Sequence, residues 1–162
     1  MNIKEILKIS GDFLSLKNLE NPRFDCELLL SEYLECSRTE LYLNADREIS
    51  DLDKDNTRVL LDRRANYEPL QYIIGNVDFY GNKIFVDRNV LIPRPETEFL
   101  VDLILKENRH FNSILELGTG SGAIAVALKK ELQNVRLDAV DISENILKIA
   151  RQNAIFNNAE IN

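Results

Sequence analysis

Three glycines stand at alternate positions in the stretch Ile114–Leu128, which reads ILELGTGSGAIAVAL: Gly118, Gly120 and Gly122. The chain holds six glycines in 162 residues, so half of them fall within five positions. Glycine takes left-handed backbone without a Cβ penalty and lets a ligand approach the main chain. An apolar run precedes these glycines and a small-residue run follows, the pattern of a strand feeding a helix through a tight turn. Free amides at such a helix start favour a carboxylate or a phosphate. Asp141, in AVDIS, stands 23 residues past Gly118 at the end of the next apolar run. A carboxylate there can accept hydrogen bonds from both hydroxyls of a ribose. Glu116, two residues before Gly118, can attract an ammonium group or simply cap local amides.

A ribose-bearing ligand with an ammonium end describes S-adenosylmethionine. Gly118, Gly120 and Ala123 also satisfy the looser dinucleotide pattern G-x-G-x-x-G/A, so a nicotinamide or flavin dinucleotide stays open, as does a glycine turn with no ligand. The candidate cofactor residues are Glu116, Gly118, Thr119, Gly120, Ser121, Gly122, Asp141 and Ile142, the last as a neighbour for an adenine face.

The elements that must carry these residues alternate strand and helix. Strand Ser113–Leu117, helix Gly122–Leu132, strand Arg136–Val140 and helix Ser143–Asn157 imply two parallel strands with crossovers. A helix from about Glu96 to Glu107 comes before them, opened by Pro93-Arg94-Pro95. Residues 76–93 are rich in β-branched and aromatic types, and Gly81-Asn82 is a hairpin turn signal. The first 70 or so residues read as helices. Asn2 with Glu5 forms a capping-box pattern ahead of Ile3, Ile6, Leu7 and Leu14. Pro22 suits a helix start, with Phe24, Leu28, Tyr33 and Leu34 as its apolar side. A short helix covers Thr39–Leu43, and Ser50 caps another that runs to about Tyr67, before Pro69.

The formal net charge is −7. Residues 1–72 hold 10 basic and 15 acidic groups, and residues 73–162 hold 10 and 12. Such a chain gains nothing from a phosphate backbone by bulk electrostatics, so nucleic acid is a disfavoured partner. No apolar run is long enough to span a membrane, and the N-terminus lacks a secretory pattern; the expected compartment is the cytoplasm. Cys26, Cys36 and His110 make a poor zinc site. Both cysteines are expected to be reduced packing residues, and His110 a solvated helix-end residue. Tyr33, Tyr42 and Tyr67 are expected in packing.

Three further stretches sharpen the reading: Glu68–Gly75 (EPLQYIIG), Phe79-Tyr80-Gly81, and Val90–Glu98 (VLIPRPETE). With ELGTGSG and AVDIS, in this order, they resemble the HemK family of release factor glutamine methyltransferases, over essentially the whole chain. A sister family that methylates a ribosomal protein tends to have serine where Pro95 stands. The resemblance implies an α/β protein in which an all-helical bundle (1–72) docks the substrate. A β-hairpin linker (73–95) and the first part of a Rossmann-like class I methyltransferase domain (96–162) follow. It implies methyl transfer from S-adenosylmethionine to the side-chain amide nitrogen of the glutamine in the Gly-Gly-Gln motif of peptide chain release factors. No metal, membrane or direct nucleic-acid contact is implied, and the full-length protein is expected to be a monomer. Within PRPETE, Arg94 can pair with Glu96 or Glu98, and the segment can brace the cofactor site or touch its ligand.

The family orients its target amide with an Asn-Pro-Pro-Tyr motif that is absent from this sequence. The expectation is therefore a front part of a longer protein, with no catalytic residue assigned and no methyl transfer by these 162 residues alone. Rival readings are another N-methyltransferase acting on a ribosomal protein, nucleic acid or small molecule; a non-catalytic docking module; and a dinucleotide oxidoreductase.

Overall fold

The capping signals of the N-terminal third are used as written. The computed structural model describes residues 1–107 and 111–162, and its contacts divide into two compact units, Met1–Ile74 and Gly75–Asn162. His110 lies outside the described residues. In the first unit, α1 (Ile3–Ser15) begins at Asn2. The Glu5 amide donates to Asn2 Oδ1 at 2.9 Å and the Asn2 amide donates to Glu5 Oε2 at 3.0 Å. This reciprocal pair satisfies amides that helix geometry leaves orphaned. Helix α2 (Pro22–Tyr33) opens on its proline, α3 (Arg38–Leu43) on a second capping box between Ser37 and Glu40, and α4 (Asp51–Ala65) on Ser50. A fifth helix, α5 (Leu70–Ile74), follows Pro69; its five residues are too few to show a helical period.

Two clusters form the core of this unit. Leu14, Cys26, Leu29, Leu61, Ala65 and Ile73 make one, and Ile3, Ile6, Leu30, Leu41 and Ile49 the other. The buried face of α2 is therefore Cys26, Leu29 and Leu30, not the one led by Phe24, which is 43% exposed. The same face buries Asp25 and Glu27, because each finds a cation. Arg64 Nε donates to Asp25 Oδ2 at 2.6 Å, and Arg38 pairs with Glu27. Two acidic residues on the inner face mask its apolar period. Phe24 instead lies under the Arg38 guanidinium, 4.5 Å from ring centroid to Cζ. Tyr42 and Tyr67, expected in packing, are exposed. Their hydroxyls donate to Glu27 and to the Lys17 carbonyl. Tyr33 is half-buried, with its hydroxyl on Asp53 at 2.8 Å. Both cysteines are free thiols, and burial pushes the Cys26 thiol up to about 12, so it stays protonated.

In the second unit, β1 (Asn76–Phe79) pairs antiparallel with β2 (Asn82–Phe85). The closing pair is Phe79 with Asn82, so the turn residues are Tyr80 and Gly81, one position earlier than the Gly81-Asn82 signal. Both have positive φ, 51° and 70°, as a primed two-residue turn requires. Side chains select this placement. Asn82 Nδ2 donates to the Tyr80 carbonyl at 2.9 Å, and the Tyr80 amide donates to Glu98 Oε1 at 2.9 Å.

Helix α6 (Pro95–Lys106) precedes β3 (Ser113–Leu117), α7 (Ala123–Glu131), β4 (Arg136–Val140) and α8 (Glu144–Phe156). Strands β3 and β4 pair in parallel, with Glu116 opposite Ala139 and Leu117 opposite Val140. On the other side of β4, Asn162 donates to the Leu137 carbonyl and accepts from the Ala139 amide, the bond pair of a parallel neighbour. The fold is thus a helical region, then an antiparallel hairpin, then alternating helices and parallel strands of an α/β domain. Among the described residues no helix is long and apolar enough to cross a membrane.

Candidate functional site

The parallel register of β3 and β4 brings their C-terminal ends side by side, and the glycine turn and Asp141 meet there. Gly118, Gly120 and Gly122 all have positive φ, at 72°, 57° and 78°, so the alternating glycines answer a backbone demand. A Cβ on Gly118 or Gly120 would meet nothing within 4 Å. At Gly122 it would stand 3.2 Å from Cα of Ala150 on α8. The first two glycines open space at the strand ends; the third lets α7 start close against α8.

The turn's amides are less free than a bare glycine loop suggests. Gly118 and Thr119 both donate to the Val140 carbonyl, at 2.9 and 3.0 Å, and Gly122 donates to the Thr119 carbonyl at 2.9 Å. The Gly120 amide donates to Asp141 Oδ2 at 3.1 Å, and the Ser143 amide to Asp141 Oδ1 at 3.4 Å. The strand-end acid therefore holds the turn in shape before any ligand arrives. A carboxylate has about four lone-pair positions, so Asp141 keeps capacity for two more donors. The amides of Ser121, Ala123 and Ile124 have no partner among the described residues.

Glu116 is half-buried at the end of β3. Thr119 Oγ1 donates to its Oε2 at 2.8 Å. Burial raises its pKa, opposed by the Thr119 hydroxyl and the Ala125 amide. It thus makes the local cap that its position allowed, at the first turn of α7, where a negative charge also suits the helix dipole. Thr119 and Ser121 are buried, while the Ile142 side chain is fully exposed.

A cavity of about 400 Å³ beside the turn is lined by Thr119, Gly122, Asp141, Leu147 and Ala150, among others. A larger hollow of about 540 Å³ lies in the helical unit, lined by Lys4, Lys8, Arg23 and Tyr42. It has no glycine turn or strand-end acid, so chemistry rather than volume selects the site. No group of three or more His, Cys, Asp or Glu side chains that could hold a metal occurs among the described residues.

Glu116, Gly118, Thr119, Gly120, Ser121 and Gly122 lie with Asp141 at the ends of β3 and β4, and the exposed Ile142 follows Asp141. Sequence reasoning missed Asn153 of α8. Its side chain is fully buried and donates to the Ser121 carbonyl at 2.8 Å. A polar residue on the helix face shared with Ala150 and Ala154 was the available signal. From PRPETE, Glu98 accepts from Tyr80 and so braces the hairpin, and Arg94 makes no ion pair among the described residues.

Residues 5–75 match the model of the PrmC N-terminal domain, and residues 95–162 the model of the methyltransferase small domain. Three similar curated proteins are each named release factor glutamine methyltransferase. The one from Buchnera aphidicola is 42% identical over 96% of this chain and 56% of its own length. That from Rhodopirellula baltica is 40% identical over 93% and 53%. That from Chlorobaculum tepidum is 38% identical over 94% and 54%. The chain spans about half the length of the curated relatives it matches.

Proposed function

This chain belongs to the HemK family of release factor glutamine methyltransferases, and we propose from that membership that its glycine turn seats S-adenosylmethionine. The residues present fit such a ligand. There is open space at Gly118 and Gly120, three amides unpartnered among the described residues, and a strand-end acid with lone pairs to spare. Asp141 accepts the ribose hydroxyls, and Ile142 lies against the adenine. Gly118, Thr119, Gly120, Ser121 and Gly122 shape the seat, and the amides of Ser121, Ala123 and Ile124 receive the carboxylate of the methionine end. Glu116 offers its remaining lone pairs to the ammonium. The bound cofactor supplies an electrophilic methyl on sulfur. This chain's residues bind and orient it, and none of them is assigned the transfer step.

In the whole protein the methyl acceptor is the side-chain amide nitrogen of the glutamine in the Gly-Gly-Gln motif of release factors. The helical unit docks that substrate. An amide lone pair is delocalised, so the reaction depends on orientation and preorganised hydrogen bonds more than on proton transfer.

The observation that carries this reading is Asp141 at the end of β4, bonded to the Gly120 amide with capacity left for two donors. Calorimetric titration of the chain with S-adenosylhomocysteine and with NADH tests it. The expected result is binding of the first only, weakened about a hundredfold in Asp141→Ala by loss of hydrogen bonds to a charged group. Binding of NADH alone would transfer the chain to the dinucleotide reading. Titration with a release factor tests the docking role.

A further inference from the structure

Asn153 uses every hydrogen-bonding group its side chain has toward two separate segments. A primary amide offers two N–H donors and a carbonyl acceptor. Nδ2 donates to the Ser121 carbonyl at 2.8 Å and to the Phe85 carbonyl at 2.9 Å, and Oδ1 accepts from the Phe85 amide at 2.7 Å. The side chain is 0% exposed, so water replaces none of these bonds. Phe85 lies 68 residues away, on the strand edge that β1 leaves open. Ser121 lies inside the glycine turn. Its carbonyl belongs to the peptide plane that carries the Gly122 amide, which closes the turn on Thr119 at 2.9 Å. No other uncharged side chain of similar size supplies this donor and acceptor set. Aspartate lacks the donors, and an aliphatic residue lacks all three groups.

We propose that Asn153 is a positioning residue for the cofactor turn: it fixes the Ser121–Gly122 peptide plane and makes β2 and the turn move as one body. The proposal rests on the reading that the turn seats S-adenosylmethionine. Asn157 provides an internal control. One turn further along α8, it donates to the Lys83 carbonyl of the same strand at 2.9 Å and to the Asn153 carbonyl, but not to the glycine turn.

The test is the affinity for S-adenosylhomocysteine of wild type, Asn153→Asp and Asn157→Ala, measured on chains that circular dichroism reports as folded. Asn153→Asp leaves two buried carbonyls without donors, so affinity drops about tenfold. Protonating the new carboxyl restores one donor. The loss therefore shrinks as pH falls, relative to wild type over the same range. Asn157→Ala keeps wild-type affinity. A second measurement needs no variant: saturating S-adenosylhomocysteine slows hydrogen exchange of the Phe85 amide in the wild-type chain. Wild-type affinity in a folded Asn153→Asp, equal weakening in Asn157→Ala, or unchanged Phe85 exchange would each overturn the proposal. If Asn153→Asp does not fold, the exchange measurement decides. A wild-type chain that binds no S-adenosylhomocysteine removes the cofactor reading and the proposal together. Binding without the Asn153 effects removes the proposal alone.

Discussion

The helical unit directs its strong polar groups at one another, and the turn unit leaves some of them unanswered. In the helical unit Arg64 holds Asp25, Arg38 holds Glu27 and Arg63 holds Glu68, while reciprocal capping boxes close α1 and α3. Five leucines and isoleucines there are 1% exposed or less. In the turn unit the N-cap residue of α7, Gly122, has no side chain to cap with, and among the described residues three amides around the glycine turn lack partners. Leu117 and Ile142, at the strand ends, are exposed at 74% and 103%. One unit answers its polar groups internally. The other holds a left-handed glycine backbone whose free donors the proposed cofactor would engage.

The largest expected effect belongs to the helical unit. Leu14 is fully buried among Cys26, Leu29, Leu61 and their neighbours. Leu14→Ala removes its transfer free energy and leaves a cavity, at a cost of about 3 kcal/mol. Denaturant unfolding reports the loss, and faster hydrogen exchange in α1 and α2 localises it. A cost well under about 2 kcal/mol, the low end for a buried Leu→Ala, would mean that this core is not closed. Next comes Gly122→Ala, at about 2 kcal/mol from left-handed φ and crowding against a backbone atom. Its φ of 78° and the 3.2 Å approach to Ala150 Cα both oppose a methyl. Thermal unfolding of the variant measures this, and a neutral result would deny that the turn is backbone-limited.

Where the determinants are local, the sequence displays them. Asn2 and Glu5 are three residues apart and cap α1 as the spacing predicts. The limits of β3 and β4 are those the sequence predicts, Ser113–Leu117 and Arg136–Val140, and their parallel pairing follows from the intervening helix. Where a distant partner decides, local pattern misleads. The inner face of α2 is unreadable because Asp25 is neutralised by Arg64, 39 residues on. The hairpin turn shifts by one residue because Tyr80 is held by Glu98 and Asp102 of α6. The site divides in the same way. Its glycines and Asp141 are visible as types at a spacing, whereas the capture of Gly118 and Thr119 by Val140 is a consequence of strand register.

A smaller effect separates the two units by pH. Burial raises the Glu116 pKa above the ordinary glutamate value of about 4.3. A raised carboxyl pKa means that the folded chain holds the proton more tightly than the unfolded chain does. The stability this gives is present below the unfolded value and is lost as pH rises through the folded one. Pairing with a ligand ammonium requires the ionised form, so affinity moves the opposite way and falls as pH drops through the same window. The S-adenosylhomocysteine affinity of wild type relative to Glu116→Gln should therefore decline by about fivefold as pH falls, on the scale of a partly screened ion pair. A flat ratio would assign Glu116 to capping alone. In the helical unit Asp51, Asp53 and Glu40 are shifted the other way, down, by Lys54, Ser50 and Ser37 respectively.

The smallest effect tests the contrast at a single residue type. Gly11 sits in the interior of α1, has no positive φ, and a Cβ there would meet nothing within 4 Å. Helix-interior glycine costs roughly 0.5–1 kcal/mol relative to alanine, because the unfolded chain loses more freedom. Gly11→Ala should thus stabilise the helical unit by about 0.7 kcal/mol, a small rise in the midpoint of denaturant unfolding. The same substitution at Gly122 has the opposite sign, since there the backbone and Ala150 both exclude the methyl. If Gly11→Ala also destabilises, glycine at that position answers a need that the fold of this unit does not contain. The contrast between glycine in a helix interior and glycine in the left-handed turn would then fail at α1.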